Sequence, residues 1–396
     1  MIMKNKKIAD NIVQIFKKIK RNNRLKRYVP LHEPIFSKND TANLKKCIKS
    51  TFVSTNGKFI LKFEKLLKNF TKSKYVIPVV NGTSALHLAL ISLNVSRNHE
   101  VLVPSLNFIA SANVARYLGA IPHFIDSEEN TFGVDSIKLE RYLKKNSALK
   151  NNTCINKKTR RIIKAIIITH IFGHPSKIDE IIKIAKKFKL RVIEDASEGL
   201  GSFFNGKHVG TFADIGILSF NGNKIITTGG GGAILTNNLN IAKTIKHLSS
   251  TAKLRHKWEY NYNMVGYNYR LPNLNAALGC AQFASISRFI KAKRTLYLSY
   301  DKYFKNFREA YIKKEPSKCA SNYWFQTIVL RKADINLRNI ILNKLNRIGL
   351  QARPVWTLNH KFKHFSKFPK MDLSQAEVLE KKIINIPSSS NLNLLK

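Results

Sequence analysis

Short apolar runs and amphipathic stretches take turns along the chain from about Tyr75 to about Thr251. KYVIPVV, VLVP, LRVIED and IGILSF are continuous and rich in β-branched residues, the pattern of strands buried on both faces. IDEIIKIAKKFK (Ile178 to Lys189) instead spaces its apolar residues as a helix does. This alternation predicts an α/β fold with a mostly parallel sheet covered by helices. The stretch Lys144 to Arg161 is polar and rich in Lys, Asn and Thr, and is expected to be a surface loop. HKWEYNYNMVGYNYRL (His256 to Leu271) is aromatic and polar by turns, as suits an excursion to a partner subunit. The long helical pattern that follows leads to a smaller C-terminal domain. The expected division is a basic extension (1–27), a large α/β domain (28–275) and a smaller α+β domain (276–396).

The chemistry gathers where predicted strands end. IGILSF runs into the polar loop FNGNK, which carries Ser219 and Lys224, and TTGGGG then supplies backbone without Cβ where chain or ligand must pass closely. An amine held this way attacks carbonyls once its pKa is lowered. Lys and Arg total 69, however, so a solvated surface lysine is the competing reading until partners are found. Asp195 ends LRVIED, at the edge where ligands of open α/β sheets bind. A carboxylate there can keep a pyridine nitrogen protonated, or it can simply cap a helix. In NGTSALHLAL, residues Gly82, Thr83 and Ser84 open a helix whose free N–H groups attract phosphate, or merely cap it. Phe108 follows VLVP, either as a ring for a flat heterocycle or as core.

These segments, with VPLHEPIF, THIFGHPSKIDEI, GYNYRL and INIPSS, stand in an order that resembles the DegT-type nucleotide-sugar aminotransferases, from about Tyr28 to about Ser389. Those enzymes depend on pyridoxal 5′-phosphate and belong to the fold-type I aminotransferase superfamily. The resemblance implies a Schiff base on Lys224, Asp195 at the pyridine nitrogen, and Phe108 stacked on the cofactor. It implies that Gly82, Thr83, Ser84 and Ser219 hold the phosphate, with Asn268 of GYNYRL reaching the neighbouring subunit's phosphate in a homodimer. Glu198 falls where many members carry glutamine beside the phenolic oxygen, and Gly230 replaces a common glutamate. SEGLGS, LHEPIF and STFVSTNGKF look most like the branch that makes UDP-linked 4-amino-4,6-dideoxy-N-acetylglucosamine, as in legionaminic-acid pathways.

The implied reaction is ping-pong transamination, L-glutamate giving its amino group to the C4 ketone of a UDP-4-keto-6-deoxy sugar, for surface-glycan synthesis. His170, in THIFG, either lines that site or is a hydrogen-bonded structural histidine. The alternative is a dehydratase of the same fold, a branch that replaces the Schiff-base lysine with histidine, whereas this chain keeps Lys224.

Composition suits a soluble, cytoplasmic enzyme: no apolar stretch approaches the roughly 20 residues of a membrane span, and charges interrupt the N-terminus throughout. Cys47, Cys154, Cys280 and Cys319 are widely spaced, so neither a metal site nor a disulfide framework is expected. The net charge of +45 argues for a polyanion binder instead. Ile8, Ile12, Ile15 and Ile19 also give the basic N-terminus an amphipathic face for a membrane or a partner. The cations are spread along the whole chain and no nucleic-acid motif accompanies them, so no dedicated nucleic-acid partner is expected. Removal of residues 1–27 is accordingly expected to leave the chemistry intact.

Overall fold

The computed structural model describes residues 2–392 and 394. The apolar runs form a seven-stranded sheet of β1 (Tyr75–Val79), β2 (Glu100–Pro104), β3 (Ile121–Ile125), β4 (Ile163–Thr169), β5 (Arg191–Asp195), β6 (Ile215–Ser219) and β7 (Gly232–Thr236). Their order across the sheet is β1-β7-β6-β5-β4-β2-β3. Strand β7 is antiparallel to β1 and β6, and the remaining pairs are parallel. The mostly parallel sheet expected from the pattern is therefore present. Every residue of β2, β3, β6 and β7 is buried, which is why these runs are almost continuously apolar. Helices Gly82–Ser92, Ala110–Tyr117 and Leu239–Ser249 cover one face, and Ser136–Asn146 and Ile178–Lys187 the other. Parallel β4, β5 and β6 end together, with Thr169 beside Asp195 and Asp195 beside Ile217.

The C-terminal lobe is built on an antiparallel sheet of β8 (Ala310–Ile312), β9 (Gln326–Leu330), β10 (Arg353–Pro354) and β11 (Ile383–Ile386), ordered β8-β9-β11-β10. One apolar cluster runs through both lobes, joining Phe63 and Phe220 to Trp324, Val355 and Ile383. The expected boundary at residue 276 falls inside helix Asn273–Phe283, which packs on helices Lys38–Lys49 and Lys58–Thr71 of the large lobe.

Two expectations are corrected. The basic N-terminus is no appendage: helix Ile2–Asn22 buries Ala9, Ile12, Val13, Phe16 and Ile19 against Tyr300, Phe304 and Leu345 of the small lobe. Phe16 lies 5.8 Å from Tyr300 and 6.0 Å from Phe304, ring centroid to centroid. The amphipathic spacing was legible, but its apolar face is filled from within the chain. The polar stretch Lys144 to Arg161 is not all loop either. Its residues Ser147–Lys150 and Thr153–Asn156 form a hairpin, turned by Asn151 and Asn152 at φ 49° and 58°. Asparagine tolerates the left-handed region such a turn requires.

Candidate active site

Lys224 reaches the site through a tightly specified loop. After β6, Phe220 N–H donates to the Gly231 carbonyl at 2.8 Å, and Thr228 N–H returns to the Phe220 carbonyl at 2.9 Å. The glycine run lets this loop pass the opening of the first sheet helix. A Cβ on Gly232 would meet the Gly82 nitrogen at 2.9 Å, whereas one on Gly230 would make only ordinary contact, 3.8 Å from the Val80 carbonyl oxygen. Nζ of Lys224 lies 3.6 Å from Oε1 of Glu198 and 3.7 Å from the centroid of the Trp324 ring. Burial lowers the lysine's pKa, against the opposing pull of Glu198 and Asp195. The same burial pushes Glu198 up to about 7, with Asp195 adding to the rise and Lys224 resisting it.

Asp195 is buried at the end of β5. Its Oδ2 accepts the Ser111 hydroxyl and its Oδ1 the Ser197 amide, each at 3.2 Å. Asn107 extends this network, donating to Ser111 Oγ at 3.1 Å and to Thr169 Oγ1 at 2.8 Å. Asp195, Glu198 and Lys224 all line one cavity of about 700 Å³ between the lobes.

Gly82, Thr83, Ser219 and Phe108 line the same cavity. Asn81 caps helix Gly82–Ser92, its Oδ1 accepting the Ser84 amide at 2.7 Å. The Ser84 N–H is thus taken by the cap, while among the described residues the Gly82 and Thr83 amides have no backbone partner. A Cβ on Gly82 would crowd Ser219 Cβ at 3.2 Å and Ser197 Oγ at 3.3 Å, so glycine keeps this corner open. Phe108 is 53% exposed, its ring uncovered toward the cavity.

His170 is placed elsewhere. Its ring is fully buried; Nδ1 accepts the Ser176 amide at 3.1 Å and Nε2 lies 3.2 Å from Glu194 Oε2. Glu194 in turn accepts amides from Gly210, Phe212 and Ala213, so this pair fastens the loop before β6 and does not line the cavity. Asn268 is exposed and lies outside its own chain's cavity. The sequence reading missed the small-lobe wall of the site, made by Trp324, Arg353, Trp356 and Asn385. Nothing in SNYWFQ or QARPVW marks their aromatics as facing a cavity, and only tertiary packing brings them there.

An open α/β sheet with an amine of lowered pKa, a buried carboxylate and free helix-start amides at its strand ends defines a class of enzyme that works through a carbonyl cofactor. Within it, residues 34–395 match the DegT/DnrJ/EryC1/StrS aminotransferase family, and the chain belongs to that family. It is 36% identical over 370 residues to the GDP-perosamine synthase of Escherichia coli O157:H7, covering 93% of this chain and 95% of that protein. EpsN of Bacillus subtilis strain 168, named for pyridoxal phosphate-dependent aminotransferase activity, is 33% identical over 91% of each chain. Among solved structures it resembles Helicobacter pylori PseC, an aminotransferase involved in pseudoaminic acid biosynthesis, with a TM-score of 0.83 and 26% identity over 93% of this chain and 95% of that one. The protein is a pyridoxal 5′-phosphate-dependent aminotransferase. Its residues suit the cofactor: Lys224 for the aldehyde, Asp195 for a ring nitrogen, and the uncrowded corner at Gly82 for a phosphate. Among the described residues no helix is long and apolar enough to cross a membrane.

Proposed function

We propose that this aminotransferase moves the amino group of L-glutamate to the C4 ketone of a nucleotide-linked 4-keto-6-deoxy sugar, with GDP rather than UDP as the carrier. The observation that carries the reading is Lys224, buried beside Glu198 and Asp195 in the cavity between the lobes. The GDP preference is supported by the 36% identity to a GDP-perosamine synthase, and it displaces the UDP sugar that the motifs alone favoured. The cofactor supplies an electron sink through which an amino group leaves one substrate and joins another. Gly82, Thr83 and Ser219 would hold its phosphate, Asp195 its ring nitrogen, and Phe108 one face of its ring. Lys224, its proton loosened by burial, is the group that accepts and returns a proton at the reacting carbon.

We further infer a homodimer in which Asn268 completes the partner's site. Support comes from the segment that carries it, where Trp258 is 70%, Tyr260 74% and Val265 81% exposed, more apolar surface than a free chain ordinarily leaves open. Lys224→Ala and Asn268→Asp variants, mixed, should regain turnover by assembling one intact site. Substrate class is tested by 2-oxoglutarate release from glutamate with GDP- and UDP-linked 4-keto-6-deoxy hexoses as separate acceptors. Faster turnover with the UDP sugar would reverse the carrier assignment. A deoxygenated 4-keto sugar, formed with the glutamate nitrogen released as ammonia and with no amino sugar, would make the enzyme a dehydratase instead.

A further inference from the structure

Glu198 is held at both ends. Its Oε2 accepts the Phe172 amide at 2.8 Å. Phe172 delivers that N–H from the left-handed region at φ 56°, a conformation costing on the order of 1–3 kcal/mol in a residue other than glycine. Gly173 follows at φ 86°, and a Cβ there would lie 1.8 Å from Asn322 Oδ1. Asn322 Nδ2 in turn donates to the Glu198 carbonyl at 2.7 Å. Strained backbone and a buried amide thus fix one carboxyl, and they leave its Oε1 facing Lys224 Nζ at 3.6 Å.

The groups around this pair come from several elements. Asp195, at the end of β5, raises both pKa values. From the N-terminal arm His32 is held neutral, chiefly by burial, with Lys293 and Lys224 adding to it. From the small lobe Trp324 covers Nζ without a charge, and beneath it the buried Lys293 donates to the Trp324 carbonyl at 3.1 Å. Arg353 lines the same cavity. Burial drives Glu198 up and Lys224 down, so the two groups approach a common proton affinity.

We propose that Glu198 is the proton partner of Lys224: within the buried pair, ammonium and carboxylate exchange for amine and carboxylic acid, and the proton returns by the same path. One N–H bond breaks and one O–H bond forms; the electron pair stays on nitrogen, ready for a carbonyl carbon. A small swing of the lysine stem, or one bridging water, closes the gap. Glu198 is therefore a positioning residue that works through Lys224. The inference rests on the reading of Lys224 as the amine of the site.

The test follows Lys224 itself and needs no turnover, so it can fail while transamination stands, and the reverse. Full-length protein freed of cofactor, its fold checked by circular dichroism, is methylated with formaldehyde and cyanoborohydride from pH 5.5 to 10. The peptide bearing Lys224 is quantified by mass spectrometry against exposed lysines. A shared proton gives two rises: one near pH 7 to a plateau about tenfold or more above exposed lysines, which are almost wholly protonated there, and a second at higher pH. Glu198→Gln should show a single rise. A single rise in the unaltered protein, or a Glu198→Gln profile that superimposes on it, overturns the proposal. The unaltered protein decides alone if the variant does not fold.

Discussion

Trp324 lies across Lys224, its ring centroid 3.7 Å from Nζ, and its own Nε1–H donates to the Asn223 carbonyl at 2.6 Å. The small lobe thereby grips the lysine loop at two points one residue apart. Phe325 stacks on the same indole at 3.8 Å and 21°. Trp324→Ala should cost about 3–5 kcal/mol and release the loop. Trp324→Phe keeps the cover and loses one hydrogen bond, about 0.5–1.5 kcal/mol. Urea midpoints of the two variants check this. Equal losses would mean that the ring is not what holds the loop.

Lys224→Ala should abolish turnover while leaving the fold. Glu198, already raised to about 7 by burial, loses the cation that resisted the rise, and so stays neutral at neutral pH rather than becoming a stranded charge. Lys224→Arg should fail as well, because a guanidinium keeps its proton. Thermal melts within a few degrees of the unaltered protein, with no 2-oxoglutarate formed, are the expected pair of results. Turnover in either variant would remove Lys224 from the chemistry.

How much of this site could be read from the chain depended on where each residue sits. Asp195 and Lys224 follow apolar runs, and parallel strands bring their C-terminal ends to one edge, so strand pattern alone collects them. His170 follows β4 at the same edge, yet its ring turns to Glu194 and the Ser176 amide; periodicity carries no information about that rotation. The Ser84 amide goes to Asn81, one residue before the helix, a local bond that the strand and helix pattern does not show. Trp324, Trp356 and Arg353 lie far downstream of Asp195 and Lys224, in the other lobe. They were invisible because an aromatic that walls a cavity and one that fills a core look alike in sequence.

Asp195→Asn should retain cofactor and slow both half-reactions by orders of magnitude. The Ser111 hydroxyl and the Ser197 amide both donate to the aspartate, so an amide nitrogen would face at least one donor, and a ring nitrogen would lose its ionic partner. Single-turnover kinetics with glutamate measure the first half-reaction directly. A rate within a few-fold of the unaltered enzyme would reduce Asp195 to a structural turn residue.

Stability should fall as pH drops below about 6.5. Burial holds His174 down to about 3 and His208 to about 4, so between those values and 6.5 the unfolded chain binds more protons than the folded one. Glu198 works the other way: its raised value means that the folded chain binds the extra proton between 4.5 and about 7, a contribution lost as pH rises. Burial also holds His32, His87, His99 and His360 below the ordinary histidine value, so the histidines outweigh the one carboxyl and stability is lost on net between pH 7 and 5. Among the described residues His174 Nε2 has no hydrogen-bond partner, and His174→Gln should partly flatten the profile by removing one of these histidines. Urea midpoints at pH 5 and 7 for both proteins test it; a stability that rises on acidification would show the signs to be wrong.

Deleting the N-terminal helix should unfold the small lobe, contrary to what its basic composition suggests. Ile12, Val13, Phe16 and Ile19 are buried against Tyr300, Phe304 and Leu345. At about 1.5–3 kcal/mol for each large apolar side chain, the helix contributes on the order of 10 kcal/mol, comparable with the whole stability of an ordinary domain. Its loss would also bare the apolar floor it covers. The polar contacts agree, with Lys344 Nζ 2.6 Å from Asp10 Oδ1 and Asn5 Nδ2 2.7 Å from Asp334 Oδ2. A chain beginning at residue 23 should aggregate or melt without cooperativity, and Phe16→Ala alone should cost about 3–5 kcal/mol. If the shortened chain instead keeps its melting temperature and its turnover, and loses only salt-sensitive binding to RNA or anionic vesicles, then the helix is a detachable polyanion arm and its packing on the small lobe does not hold the fold.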